Sequence, residues 1–562
     1  MTMPKLIGLI YLLSFFCLPA AAKPLFGILG GDPSGPVQSV LKGKLARLDS
    51  TGKLAILGSQ IRKSRDLSGF YALRSGEPAW FPHVYPSPGA WQLLDAVRKC
   101  PLEGLNASDY HFRSLDSLLR MFNRNIFWRR RCDPETMANL ELLLTDAYLR
   151  LARHLLVGRV AFKIPQDVWH VGNEEIQLPA YLDQTLRDKR DVRKSLQKLT
   201  PPQMEYGRMK YWLGEYLKIA ERSGWPKVAD GPALGPESQD PRVKALCMRL
   251  RISGEQEGGC GEAWSEDLTE AVKRFQGAHG LEPTGIADAA TFKQMNVPVG
   301  DRIDQIELNL ECWRWLPHDL GEKHLRVNIA DYRLGAYENG KESFSMKVVV
   351  GRKQDSTPVF SDRVTAVQLN PSWNVPATIA AEEMLPELQK DPGYLAKHDM
   401  EALSNWSESA VPIRCDTVDW SSVSTEKFPF RIRQKNGDVS ALGRIKFQLT
   451  NPFNIYLHDT PAKKYFERDK RALSHGCVRL ANPTQLAVWV LGPGSVWTRE
   501  RIAADIAKGD EVVIPVPENG VPVHILYWTS FVDPDGGLQF RPDIYGWNRR
   551  MEAALDRKSP TF

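Results

Sequence analysis

Tyr456-Leu457-His458-Asp459-Thr460, followed by Ser474-His475-Gly476-Cys477-Val478-Arg479, is the stretch on which the reading of this chain turns. Its cysteine lies 19 positions beyond its first histidine. A thiol and an imidazole that a fold can bring together are the minimum equipment for nucleophilic acyl transfer, because the imidazole generates the reactive thiolate. Gly476 has no Cβ, so the backbone can approach a ligand closely there. The successive amides of His475, Gly476 and Cys477 can then converge as an oxyanion hole. Tyr456 and Leu457 end an expected strand, which presents His458 from a rigid element. Either Asp459 or a backbone carbonyl would fix the ring proton of His458. A zinc site of His458, His475 and Cys477 lacks a fourth ligand at a recognised spacing, so no metal is expected.

Working outward, the flanks read as a mainly β domain over 323–530. Alternating segments at 325–329, 333–338 and 343–350 predict strands, with Asn339-Gly340 as a hairpin turn. Further strands are expected at 364–369, 445–449, 455–457, 511–514 and 523–528, and a helix at 482–490. Trp373 and Asn374 sit in a loop after the fourth strand. The polar segment 377–440 is too long for a passive loop inside a small β domain, and reads as a lid or capping subdomain. Residues 531–562 read as a tail.

Upstream, 241–297 reads as a compact three-helix module, with Asp288 as an N-cap. Residues 46–235 read as mainly helical, most clearly over 134–157, where leucines recur at helical spacing and Gly158 follows as a stop. The Gly- and Pro-rich segment 23–45 reads as a linker. At the start, Lys5, an apolar run over 6–18 and Ala20-Ala21-Ala22 predict a signal peptide over 1–22, cleaved on export or retained as an N-terminal anchor.

The 562 residues are 43% hydrophobic and 25% charged with net charge +6, an ordinary globular composition without the dense basic run of a nucleic-acid binder. Apart from Cys17 seven cysteines remain, so an oxidising compartment leaves at least one thiol unpaired, and Cys477 is the choice. Cys100 with Cys132 and Cys247 with Cys260 are the sequence-local pairs; spacing alone does not fix connectivity.

His458, then Ser474-His475-Gly476-Cys477, an aliphatic residue and Arg479, resemble the signature of the L,D-transpeptidase (YkuD-type) catalytic domain. Ala271, Val272, Phe275, Gln276, His279, Gly280, Leu281, Gly285, Asp288 and Thr291 resemble a peptidoglycan-binding domain. Together with Phe70-Tyr71-Ala72, Pro78-Ala79-Trp80 and 441–447, they resemble the large multidomain periplasmic L,D-transpeptidases of Gram-negative bacteria. The resemblance implies a multidomain α+β fold and a periplasmic enzyme of cell-wall synthesis without a cofactor. It implies Cys477 as nucleophile, His458 as base, and the amides of His475, Gly476 and Cys477 as oxyanion donors. Tyr456, Trp373, Asn374, Arg479 and Ser474 are the substrate-positioning candidates. The implied reaction is transfer from a donor tetrapeptide stem, with loss of D-Ala, to an acceptor diaminopimelate, giving 3→3 cross-links. Carbapenems are the implied inhibitors, and other wall-synthesis enzymes are candidate partners. Hydrolysis of the same thioester, by an L,D-carboxypeptidase or endopeptidase, and a non-catalytic wall-binding scaffold are the alternatives.

Overall fold

The computed structural model describes residues 34–82, 85–127, 133–159, 169–170, 176–407 and 409–555. The expected signal peptide and Cys132 lie outside them.

The N-terminal region is helical. Helix α1 (Ser34–Thr51) packs on α2 (Pro134–Val157), whose leucines fill the surrounding core. Asp133 caps α2 by accepting from the Thr136 N–H at 2.9 Å, and Gly158 ends it. The linker expected over 23–45 is corrected from residue 34 on. Pro36 sits in the first turn, where its missing N–H is not needed, and Val37, Leu41 and Leu48 bury against the core. This region also carries a β-hairpin, Lys53–Ile56 with Ser59–Arg62, turned by Leu57 and Gly58 with positive φ. Helix α3 (Met204–Glu221) packs against α4 (Val299–Trp313), a buried helix lying outside every segment expected from the sequence. Between them in sequence, the 241–297 module closes around Leu246, Leu268, Phe275 and Phe292, with a Cys247–Cys260 disulfide.

The β region is one long curled sheet, a smaller four-stranded one and a separate two-stranded hairpin. Its strands are β1 (Lys323–Asn328), β2 (Arg333–Glu338), β3 (Lys341–Gly351), β4 (Val359–Val364), β5 (Ala366–Leu369), β6 (Trp373–Asn374), β7 (Met400–Leu403), β8 (Arg431–Gln434), β9 (Ile445–Gln448), β10 (Leu457–His458), β11 (Ala472–Ser474), β12 (Val478–Leu480), β13 (Val512–Pro515), β14 (Val521–Leu526), β15 (Ser530–Val532) and β16 (Leu538–Phe540). The main sheet runs β13-β5-β9-β10-β12-β3-β2-β1-β14-β4, with Trp169–His170 beyond β4 and β11 alongside β3. Asn339 and Gly340 both have positive φ, as the β2–β3 hairpin requires. β10–β12 and β11–β3 are parallel pairs.

The 377–440 insertion has its own sheet, in which β6, β8, β7 and Pro412–Ile413 pair in turn, and its own core of Leu388, Ala402, Trp420 and Ile432. The C-terminal residues are not a tail. β15 and β16 form a hairpin, and helix α5 (Trp547–Ala554) follows. Tyr545 and Trp547 enter the core of the main sheet, and apolar burial holds the segment in place. Among the described residues no helix is long and apolar enough to cross a membrane.

Candidate active site

Strand pairing places the central residues. In β10–β12, Leu457 faces Val478 and His458 faces Arg479 across a parallel ladder, and the Val478 N–H donates to the Tyr456 carbonyl at 3.1 Å. Leu457 and Val478 enter the core. Side chains alternate along a strand, so Tyr456, His458, Cys477 and Arg479 share the opposite face. The neighbouring strand adds Lys446, the register partner of His458.

The turn that carries Cys477 is held from several sides. Its glycine, Gly476, has φ +111°, a value that favours glycine, and a Cβ there would stand 3.1 Å from Ile455. Ser474 Oγ accepts the Gly476 N–H at 3.2 Å and donates to the Cys477 carbonyl at 2.6 Å. Thr357 Oγ1 donates to the Gly476 carbonyl at 2.6 Å and accepts the Gly351 N–H at 2.9 Å. Tyr545, from the C-terminal segment, donates its hydroxyl to the Gly351 carbonyl at 2.5 Å. Two expectations change here. The Gly476 amide is engaged inside the turn by Ser474, which removes it as an oxyanion donor, while among the described residues no hydrogen bond engages the His475 and Cys477 amides. Ser474 is buried and shapes the turn instead of facing a substrate.

His475 turns away from the thiol. Its Nε2 lies 2.6 Å from Glu383 Oε1 at the start of the insertion, and Arg352 donates to the same oxygen at 3.1 Å. Among the described residues no three His, Cys, Asp or Glu side chains converge as a metal-binding set. Asp459 does not orient His458 with its carboxylate, which accepts from the Arg444 N–H at 2.9 Å and from Lys463 Nζ at 2.5 Å. Trp373 belongs to the insertion's core rim. Asn374, on β6 opposite Arg433, is exposed.

Electrostatics divides these groups. Burial drives the His458 imidazole down to about 3, helped by the Arg479 charge, against the pull of the Asp459 and Leu442 backbone. Its Nδ1 is buried and makes no hydrogen bond. Burial raises the Cys477 thiol above its usual range, opposed by the Tyr456 backbone and hydroxyl and then by Lys446 and Arg479. Burial also lowers Lys446 and Arg479, and Cys477 pulls each back. Arg479 Nε is buried without a partner. Lys446 Nζ stands 4.3 Å from the centre of the Tyr456 ring.

Lys446, Thr357, Glu383 and Tyr545 were not singled out in the sequence. For Lys446 a signal existed: Ile445 and Phe447 are core residues, so the lysine between them faces the other side. Cys477 is an unbridged thiol, as expected, and so are the buried Cys100 and Cys312 and the half-buried Cys415.

Residues 322–514 match the model of the L,D-transpeptidase catalytic domain (YkuD). This part of the chain is an L,D-transpeptidase catalytic domain. Residues 65–213 match a "Scaffold domain" and 239–295 a "Putative peptidoglycan binding domain". A Haemophilus influenzae protein described as "Putative L,D-transpeptidase" is 37% identical over 228 residues, 41% of this chain and 45% of the relative, so the match spans less than half of that protein's length. Among solved structures, the L,D-transpeptidase of Stackebrandtia nassauensis is 14% identical, covering 54% of this chain and 96% of its own, with TM-score 0.20. That of Xylanimonas cellulosilytica is 15% identical, covering 53% and 98%, with TM-score 0.18. Scores this low carry no argument. The α+β architecture, with a helical N-terminal part and a mainly β L,D-transpeptidase domain, agrees with the expectation.

Proposed function

We propose that this protein is a cysteine-dependent peptidoglycan L,D-transpeptidase. The observation that carries the reading is the shared face of β10 and β12, which sets Cys477, Tyr456, His458 and Arg479 side by side. His458 Nδ1 takes the Cys477 thiol proton as Sγ attacks the carbonyl between the third stem residue, an L,D-diamino acid, and D-Ala. Because burial keeps His458 neutral at working pH, it is poised to accept that proton. The oxyanion develops beside the His475 and Cys477 amides, the Tyr456 hydroxyl and the Lys446 cation; one such donor is typically worth about 3 kcal/mol. As the C–N bond breaks, His458 returns the proton to the leaving D-Ala amine, and a thioester remains. The side-chain amine of an acceptor diaminopimelate then attacks the thioester. Its proton passes through His458 to the departing thiolate, the C–S bond breaks and a 3→3 cross-link forms. Arg479, which among the described residues forms no ion pair with a carboxylate, would receive a stem-peptide carboxylate.

The export signal expected from the sequence and the match to a peptidoglycan-binding domain support a periplasmic, wall-associated location. The insertion, tied to the nucleophile's turn through Glu383 and His475, would cover a bound stem peptide. The test is intact-protein mass after incubation with a carbapenem, which should acylate Cys477. No adduct on the wild type, or an adduct that survives Cys477→Ala, ends the reading. Product analysis with disaccharide tetrapeptide then identifies the acceptor. A dimer lacking one D-Ala means cross-linking, and tripeptide alone means hydrolysis.

A further inference from the structure

Between α3, the outer face of β1–β2–β3 and the β15–β16 hairpin lies a cavity of about 1050 Å³, separate from the cysteine turn. Its lining combines flat apolar surfaces with fixed polar groups. Tyr337 lies across Gly335, where a Cβ would come within 2.7 Å of its ring, and the Arg326 guanidinium covers that ring at 3.7 Å. Trp313 and Trp528 stack at 4.4 Å in the same wall, and the Trp313 Nε1 is buried with no hydrogen-bond partner. Arg326 is held by Glu205 of α3 at 3.0 Å, and Arg541 by Asp331 at 2.5 Å. The lining carries seven arginines and lysines against four carboxylates, a net +3. Lys341 and Lys347 are both exposed and, among the described residues, form no ion pair.

Guanidinium groups laid over the Tyr337 and Phe531 rings offer fixed hydrogen-bond donors that suit the hydroxyl and acetamido groups of sugars, and the cationic surplus suits a polymer that also bears carboxylates. The position of the cavity agrees. Along β12, Cys477, Arg479 and Ala481 alternate onto the outer face, and Ala481 lines the cavity. The Ala481 N–H donates to the carbonyl of Lys347, another lining residue, at 3.1 Å. Four residues of strand separate Cys477 from that rim by about 13 Å. In the proposed reaction the attacked carbonyl lies three residues from the sugar, roughly 10 Å of extended peptide.

We infer that this cavity binds the amino-sugar strand of peptidoglycan and so delivers its stem peptides to Cys477. The inference rests on the transpeptidase reading and adds to it a glycan site built jointly by the scaffold helix, the catalytic sheet and the C-terminal hairpin.

The test uses the full chain as Cys477→Ala, with peptide-free peptidoglycan glycan strands as the probe and calorimetry as readout. Because that variant performs no chemistry, glycan binding is measured independently of the transpeptidase reading. Ser345→Trp, from an exposed position on the lining, fills the cavity, and Lys347→Glu reverses a charge at its rim. Each should weaken glycan binding at least tenfold. In the Cys477 background each should leave the carbapenem acylation rate within twofold, because that small ligand engages only the nucleophile. Absence of glycan binding overturns the inference. So does unchanged binding in both variants, which would assign the glycan to the 239–295 module. Failure of carbapenem acylation with intact, cavity-dependent glycan binding would instead remove the transpeptidase reading and leave the site standing.

Discussion

Replacing Thr357 by valine tests whether the nucleophile's turn is held by one hydroxyl. The side chain is fully buried, and valine matches its shape without the oxygen. Two buried backbone groups then lose a partner: the Gly476 carbonyl, bonded at 2.6 Å, and the Gly351 N–H, bonded at 2.9 Å. Each unsatisfied group costs about 1–3 kcal/mol, so a stability loss of roughly 2–4 kcal/mol is expected after partial relaxation. The kinetic effect has a separate origin. The Gly476 carbonyl and the Cys477 N–H belong to one rigid peptide plane. When the carbonyl swings toward a new partner, the amide that faces the developing oxyanion turns with it. Loss of one such donor lowers the rate about 10²–10³-fold, and partial misalignment should lower acylation about 10–100-fold. Urea unfolding followed by tryptophan fluorescence gives the first quantity, and time-resolved intact mass with a carbapenem gives the second. Thr357→Ser keeps the hydroxyl and should stay within a few-fold of wild type. A Thr357→Val protein that acylates at the wild-type rate with undiminished stability refutes the reasoning, as does a serine variant as slow as the valine one.

With His458 near 3 and the Cys477 thiol above its usual range, the neutral pair dominates between them, so acylation should be flat from about pH 5 to 8. In His458→Ala it should fall about 10²–10⁴-fold and rise tenfold per pH unit, and a wild-type profile with that unit slope would remove the general base. The same depression makes a stability prediction. An imidazole held below its unfolded value of about 6.5 contributes stability above that pH and loses it as pH falls toward the folded value, here about 3 for His458 and about 4 for His324 and His524. Unfolding free energy should therefore drop between pH 6.5 and 4, and a level profile across that window contradicts it. Lys446→Met keeps an apolar stem against Tyr456 but removes the charge. Alkylation rate against pH should show the Cys477 thiol raised further, and an unmoved curve would exclude Lys446 as its electrostatic partner. Cys260→Ser opens a loop of sequence separation 13 and should cost the 241–297 module about 3 kcal/mol, read as faster amide exchange there with carbapenem acylation unchanged. Equal exchange in the two proteins would show that the module holds without the disulfide.

The sequence by itself determined the features whose physics is local. Leucine spacing between Asp133 and Gly158 dictates helix 134–157, because capping and a buried stripe act within a few turns. Asn339-Gly340 dictates its hairpin because both residues tolerate positive φ. The thiol, the imidazole and the glycine between His475 and Cys477 are legible because a reactive motif shows its chemistry in its own residue types. Only the tertiary structure decided what supports that motif. Thr357 meets Gly476 across 119 positions and Tyr545 meets Gly351 across 194, distances at which periodicity carries no information. Strand register decided that Lys446 joins His458, and that Asp459 is drawn to Arg444 and Lys463. Burial against distant apolar surface turned an expected linker into α1 and an expected tail into a packed hairpin and helix. Which partner a polar side chain finds depends on which strands lie side by side, and that is settled by the collapse of the whole chain rather than by any one segment of it.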